Sequence, residues 1–308
     1  MVTRIGSFSQ SQALLLELTR QNAKVFKSQE QVATGKVADN FKDIAADAGV
    51  LLTAKKVEAR TQQFQNNIIE LSTRVEVQNI QLTRIEGVAA ELRQDLLDAI
   101  SLESGAALTE KINSAFQQVL NTLNAQYDDR YIFGGTQSDR PPVNIASIAD
   151  LVAIPAVSDV FDNNQLRQAV PIDEGQNITI GFLADQLGTD ILQVLKDLAT
   201  FDAGGSGPFG EQLTAAQRSF LESQIAPLSS AHEQLISRTS ENGLLANQLD
   251  SARDRHESSI ISLKQFISDI EDVDLAEAVT RLNQDQIAVQ ASARILADLG
   301  DLTLLNFL

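Results

Sequence analysis

The chain has 308 residues, room for two or three compact units. Its formal net charge of −17 opposes nucleic acid and anionic membranes as principal partners. No stretch approaches the roughly 20 apolar residues that cross a bilayer; with no Cys and two His, disulfides and thiolate metal sites are excluded and no cofactor is expected.

Residues 1–34 read as a helix starting near Gly6 and broken by Gly35. Within it Phe8, Leu15, Leu18, Asn22, Val25, Gln29 and Val32 follow at steps of three and four, with Ser11 in the gap. Only Leu14, Leu15 and Leu16 run together there, so no secretory-signal core is expected. Residues 34–49 carry Gly35, Asp39, Asn40, Asp43 and Gly49 and read as a loop.

The strongest pattern follows. Val57, Thr61, Phe64, Ile68, Leu71, Val75, Gln78, Leu82, Ile85, Ala89, Leu92, Leu96 and Ala99 keep the three/four alternation without a slip. A helix over residues 50–102 would be about 80 Å long at 1.5 Å per residue, and a rod of that length needs long neighbours. Ser104 and Gly105 turn the chain into a second helix with Ile112, Phe116, Val119, Leu123 and Gln126 on one face, expected to reach about Asp129.

From Tyr131 the pattern changes. Gly134, Gly135, Pro141, Pro142, Pro155 and Pro171 punctuate short β-branched runs, and residues 177–181 alternate as a strand. Residues 131–183 therefore predict a small β-rich insert. Helix returns over residues 189–199, residues 203–210 read as a flexible loop, and residues 212–270 form another rod with Leu221, Leu228, Leu235, Leu245, Leu249, Ile260, Leu263, Ile267 and Ile270 in register. Pro227 marks a kink in that rod or its true start. A one-residue shift of the seam at Val273–Asp274 predicts a joint.

The last segment carries Leu275, Val279, Leu282, Gln286, Val289, Ala293 and Leu296 at heptad spacing, then ends in Leu302, Leu304, Leu305, Phe307 and Leu308. Chain ends ordinarily stay polar, so this one is expected to be buried against something. The N-terminal helix is the candidate partner. Residues 1–36 carry five basic and two acidic side chains, net +3, and residues 269–301 eight acidic and two basic, net −6.

Features that resemble chemistry read otherwise. Residues 205–210 match G-x-G-x-x-G, but a helix precedes them and Pro208 interrupts the turn, so a loop is expected. His256-Glu257 lacks the second His one turn on that a zinc protease needs; His256 reads as a polar seam residue and His232 as a surface one. Asp269, Glu271, Asp272 and Asp274 read as a solvated or helix-capping group, and Lys55, Lys56 and Arg60 as a solvated face. No catalytic triad or phosphate loop is found, so no enzyme activity is expected.

With these motifs in order, the chain resembles the bacterial flagellin superfamily. The carriers are residues 1–6 (MVTRIG), 29–36 (QEQVATGK), 274–282 and 288–308. Residues 130–136 (RYIFGGT), 140–143 (RPPV), 170–181 (VPIDEGQNITIG), 190–198 and the tail 302–308 (LTLLNFL) are similar to its hook-associated, junction-forming branch. One departure is residues 41–49, without the prolines common there.

The resemblance implies a mainly α fold of long antiparallel helical rods with a small β-rich inserted domain. It divides the chain into residues 1–36 with 271–308, which form the tube; residues 37–130 with 184–270, the rod; and the insert 131–183. It implies an extracellular structural subunit joining hook to filament. Such a subunit is exported without a cleaved signal, pairs with copies of itself in a ring or tube and with other axial proteins (a hook-side junction protein and flagellin), and is masked by an export chaperone beforehand. The ends of a free subunit would be disordered and fold on docking. The assembly surface would comprise Phe8, Leu15, Leu18, Val25, Val32, Leu275, Val279, Leu282, Val289, Leu296, Leu302, Leu305, Phe307 and Leu308. A filament flagellin is the alternative. A surface carbohydrate-binding module, using Tyr131, Phe133, Phe161 and Phe182, ranks lower.

Overall fold

The computed structural model describes the backbone of residues 2–38, 40 and 45–305, and side chains from residue 12 to 298 within those ranges. Asp39 and residues 41–44 of the expected loop, and Phe307 and Leu308 of the expected surface, lie outside the described residues. So do the side chains of Phe8, Leu302 and Leu305. Seven α-helices are described: α1 Val2–Thr34, α2 Ala48–Leu102, α3 Leu108–Leu123, α4 Ile148–Ala153, α5 Ala184–Ala203, α6 Ala215–Glu271 and α7 Leu275–Leu305. The strands form two antiparallel hairpins, β1 Gln126–Tyr127 with β2 Arg130–Tyr131 and β3 Gln168–Asp173 with β4 Gln176–Ile180.

The chain divides into two compact units, Met1–Thr61 with Ser258–Leu308 and Gln62–Glu257. This differs from the three-part division expected from the sequence. The terminal unit takes in the first turns of α2 and the last turns of α6, and the β insert shares a unit with the rods. The reason for the second difference is packing: Ile172, Ile178 and Ile180 of the β3–β4 hairpin are buried in one cluster with Ile68, Leu71 and Val75 of α2 and Leu249 and Ala252 of α6.

In the unit Gln62–Glu257 the α2 seam is buried at every step from Ile68 to Ala99. Leu82 to Leu96 meet Phe116 and Val119 of α3, Ile191 and Leu195 of α5, and Leu221, Leu228 and Leu235 of α6. Four amphipathic faces thus cover one another, as the three/four spacing requires. Gly188 lets α5 close on α3, since a Cβ there would stand 2.6 Å from Leu123 Cδ1. Val57, by contrast, belongs to the expected seam but is exposed.

Helix ends differ from the sequence reading where polar side chains decide them. α3 stops at Leu123, not Asp129, because Asp128 and Asp129 take positive φ angles (51° and 56°) and close a tight hairpin turn. Asn124 then ties the insert to the helix end by two 3.0 Å bonds, accepting from Val143 N and donating to Val143 O. α6 starts at Ala215 because Thr214 and Gln217 form a capping box: Thr214 Oγ1 accepts from Gln217 N and Gln217 Oε1 from Thr214 N. α6 runs through Pro227, which sits on its exposed side, where the carbonyl left without a donor can bond water. α1 begins at Val2, ahead of Gly6, and ends where Gly35 adopts φ +71° and donates to Gln31 O. α5 is longer than expected at both ends.

Truncating the fully buried Leu92 to Ala should cost about 2–5 kcal/mol of unfolding free energy, whereas Val57→Ala on the exposed stretch should cost under about 1 kcal/mol. Urea unfolding of the two variants checks this.

Candidate assembly surface

The terminal unit is built on an antiparallel pair, α1 against α7. The pair is fixed at one end by a stitch between the turn after α1 and the joint between α6 and α7. Val37 N donates to Glu271 O (2.8 Å) and Val273 N to Gly35 O (2.9 Å). Lys36 and Asp272 pair as an isolated β-bridge between these bonds. Glu271, mostly covered, receives Lys36 Nζ at 2.5 Å on one oxygen and Lys55 Nζ at 2.6 Å on the other. Hydrogen bonds from Lys36 and then Lys55 hold the Glu271 carboxyl below its ordinary range, and the same contact raises the Lys36 ammonium above its own. Three residues after Glu271, Asp274 Oδ1 accepts from Ala276 N and Glu277 N, capping α7 and making the joint expected at Val273–Asp274.

Along the pair, the seam that closes is not the one the sequence spacing picks out. At three/four spacing the covered positions are Leu14, Leu18, Gln21, Val25, Ser28 and Val32 of α1 and Ala278, Leu282, Asp285, Val289, Ser292 and Leu296 of α7, each half-buried or buried, with Glu17, Gln31 and Ala288 covered beside them. Leu18, Val25, Val32, Leu282, Val289 and Leu296 agree with the expectation. Between them the covered residue in each case lies one position earlier than expected. The cause is polar: Ser28 Oγ donates to Asp285 Oδ2 at 2.6 Å, a contact that faces the pair inward along that column. The column expected in its place stays exposed: Leu15 (50%), Asn22 and Gln29 on α1, and Val279 (42%), Gln286 and Ala293 on α7. Leu275, one turn before Val279, is 53% exposed.

In an antiparallel pair, equivalent columns of the two helices fall on the same side. The exposed columns, each one residue beyond the covered one, therefore flank a common groove. Leu16, Phe26, Ile287 and Ile295 are exposed elsewhere on the two helices. The sequence reading also missed the stitch; its only signal was the breaker Gly35 opposite the seam slip at residue 273.

The residues that resembled chemistry are used structurally. The loop at residues 204–214 is held, not loose: Gln217 Nε2 donates to Ser206 O and Pro208 O, Asp202 Oδ1 accepts from Phe209 N, and Phe201 stacks on Phe209 and Phe220. His256 is buried, with Nε2 2.7 Å from Ile172 O and its ring against Phe64. His232 is half-buried near Glu86, not a surface residue. Lys55, expected to be solvated, serves Glu271. Of the four acids at the joint, Glu271 is held by lysines, Asp272 accepts from Ser268, Asp274 caps α7 and Asp269 accepts from Gln265. Phe133 and Phe182 are buried, and Phe161 packs on the same core.

Two family models match the chain in sequence. One describes the bacterial flagellin N-terminal helical region and covers residues 5–138; the other describes the bacterial flagellin C-terminal helical region and covers residues 225–308. Together they span more than two thirds of the chain and include both halves of the terminal pair. The chain belongs to the flagellin family.

No curated protein matches it by sequence. Among solved structures, this flagellin-family chain is similar to a Vibrio parahaemolyticus protein described as a flagellar hook-associated protein. The identity is 16%, the TM-score 0.60, and the match covers 75% of this chain and 100% of that one. It is also similar to FlgL of Bacillus cereus (16% identity, TM-score 0.56, 70% and 99% covered). FlgL of Xanthomonas campestris is a third (13% identity, TM-score 0.56, 70% and 100% covered). These likenesses show a shared fold, mainly α with small antiparallel hairpins.

The Glu271 clasp gives this flagellin-family chain a predictable pH response. A carboxyl held below its ordinary value contributes stability that is present above about pH 4.5 and lost as pH falls through the lowered value. Lys36 contributes below about pH 10.5 and loses that contribution as pH rises through its raised value. Glu271→Gln should weaken the terminal unit by about 1 kcal/mol near neutrality, the scale of a networked pair, and flatten its acid limb. Circular dichroism followed against pH, comparing the variant with the parent chain, measures both effects.

Proposed function

We propose that this chain is a non-enzymatic structural subunit of the bacterial flagellum that joins hook to filament, assembling through its terminal helices. The observation that carries the reading is the exposed column on α1 and α7. Leu15 on α1 and Leu275 and Val279 on α7 lie open beside a seam that is already closed, and exposed apolar side chains of this kind are stabilised when another helix covers them. Membership of the flagellin family supports other axial subunits and further copies of the chain as the partners. The fold shared with FlgL structures supports the junction role over a filament role.

On this reading Leu15, Leu275 and Val279 contact neighbouring subunits, and Leu18, Val25, Val32, Leu282, Val289 and Leu296 hold the pair that presents them. Phe8, Leu302, Leu305, Phe307 and Leu308 are assigned to the same subunit contacts from the sequence pattern alone. The terminal pair forms the tube-building part. The subunit reaches its place through the flagellum's own export apparatus, with a chaperone covering α7 beforehand, and its partners are the hook-side junction protein and flagellin.

Deleting the gene in a flagellated host should leave hooks without filaments and release flagellin into the medium. Complementation with Leu15→Asp/Val279→Asp should fail although the purified variant keeps its helix content. Full-length filaments in the deletion strain, or full rescue by the double variant, would overturn the reading. Long homopolymers from the purified chain alone would favour a filament flagellin instead.

A further inference from the structure

The hydrophobic interior of the unit Gln62–Glu257 is not continuous. One cluster holds Leu82 and everything beyond it on α2, with Leu221, Leu228 and Leu235 of α6. The other holds Ile68, Leu71 and Val75 of α2, Leu249 and Ala252 of α6, and the isoleucines of the β3–β4 hairpin. The seam residue between Val75 and Leu82 is Gln78, and between Leu235 and Leu249 α6 contributes Asn242. Each is only 1% exposed.

Asn242 Nδ2 donates to Val75 O at 3.0 Å, so α6 is bonded to α2 at the level where the two buried clusters part and only half-buried side chains such as Val77 and Leu245 continue the apolar packing. The remaining acceptors at this level, Gln78 Oε1 and Asn242 Oδ1, are buried without a hydrogen-bond partner. Buried acceptors ordinarily find donors, and a layer that leaves two unmatched gains on opening to water. The next residue of α6 is Gly243, in mid-helix with nothing within 4 Å of where its Cβ would be. No close approach or positive φ calls for glycine there, and a mid-helix glycine weakens the helix at its own position.

We propose that Gln78, Asn242 and Gly243 form a soft joint. The joint divides the unit into a four-helix core and a second body, made of the β3–β4 hairpin with residues 62–75 and 245–257. It lets the second body loosen or bend without unfolding the core, while the Asn242–Val75 bond restores one register when it closes. A continuous apolar seam of this length would move as one rod. A subunit that must fit neighbours of two kinds benefits from a rod that yields at a set level. The joint itself is a property of this unit, and its test is independent of the role proposed above.

Hydrogen–deuterium exchange of the full chain tests it. Amides of residues 68–75 and 245–252 should exchange together, at least about tenfold faster than those of 85–96 and 221–235. Gln78→Leu/Asn242→Leu should bring the two sets within about threefold of each other. Gly243→Ala, a change with room for its methyl group, should slow exchange at residues 240–247 and keep the fold intact. One common rate for both sets in the parent chain would overturn the proposal. So would a Gly243→Ala variant whose exchange at residues 240–247 is unchanged.

Discussion

Two backbone hydrogen bonds and one carboxylate hold the terminal unit in register. Val37 to Glu271 and Val273 to Gly35 join chain segments more than two hundred residues apart, and Glu271 adds two lysines to the same point. Everything along α1 and α7 follows from where this stitch starts the pair. It sets Ser28 opposite Asp285, and that contact turns inward the column of Leu14, Gln21 and Ser28 with Ala278, Asp285 and Ser292. Leu15 and Val279, one position on, are left outside with Asn22, Gln29, Gln286 and Ala293. A pair closed on Leu15 and Val279 would have hidden both side chains. This one keeps them open, and the assembly reading depends on it.

The two units use one helical repeat for different ends. In the unit Gln62–Glu257, α2, α3, α5 and α6 close their apolar faces on one another, and the interior is sealed at Leu92, Phe116, Ile191 and Leu228. In the terminal unit the α1–α7 pair is only half-closed. The buried set there is short and mixed, with Ser28, Gln31 and Ala278 among its members.

The long α2 seam was legible because thirteen positions repeat without a slip and only Thr61 and Gln78 among them are polar. The α1 seam was legible only to within one residue. Leu14, Leu15 and Leu16 are chemically alike, so spacing alone cannot choose among them, and the deciding contact, Ser28 to Asp285, is not apolar. The end of α3 was overrun because Asp128 and Asp129 at positive φ look like any charged helix surface until the turn is seen. The Glu271 clasp and the core division at Asn242 were out of reach for one reason: each is a polar contact between residues far apart in the chain. Periodicity reports which residues prefer an interior. It does not report which hydrogen bond sets the phase.

The most direct measurement uses the absence of native cysteine. Single cysteines placed at Leu15, Val279 and, as a buried control, Ala278 can be titrated with a thiol reagent in the dilute chain and in isolated hook–filament structures. The account predicts that positions 15 and 279 react readily in the dilute chain and become protected on assembly, while position 278 stays protected in both. Protection of positions 15 and 279 in the dilute chain, or equal reactivity after assembly, would contradict it.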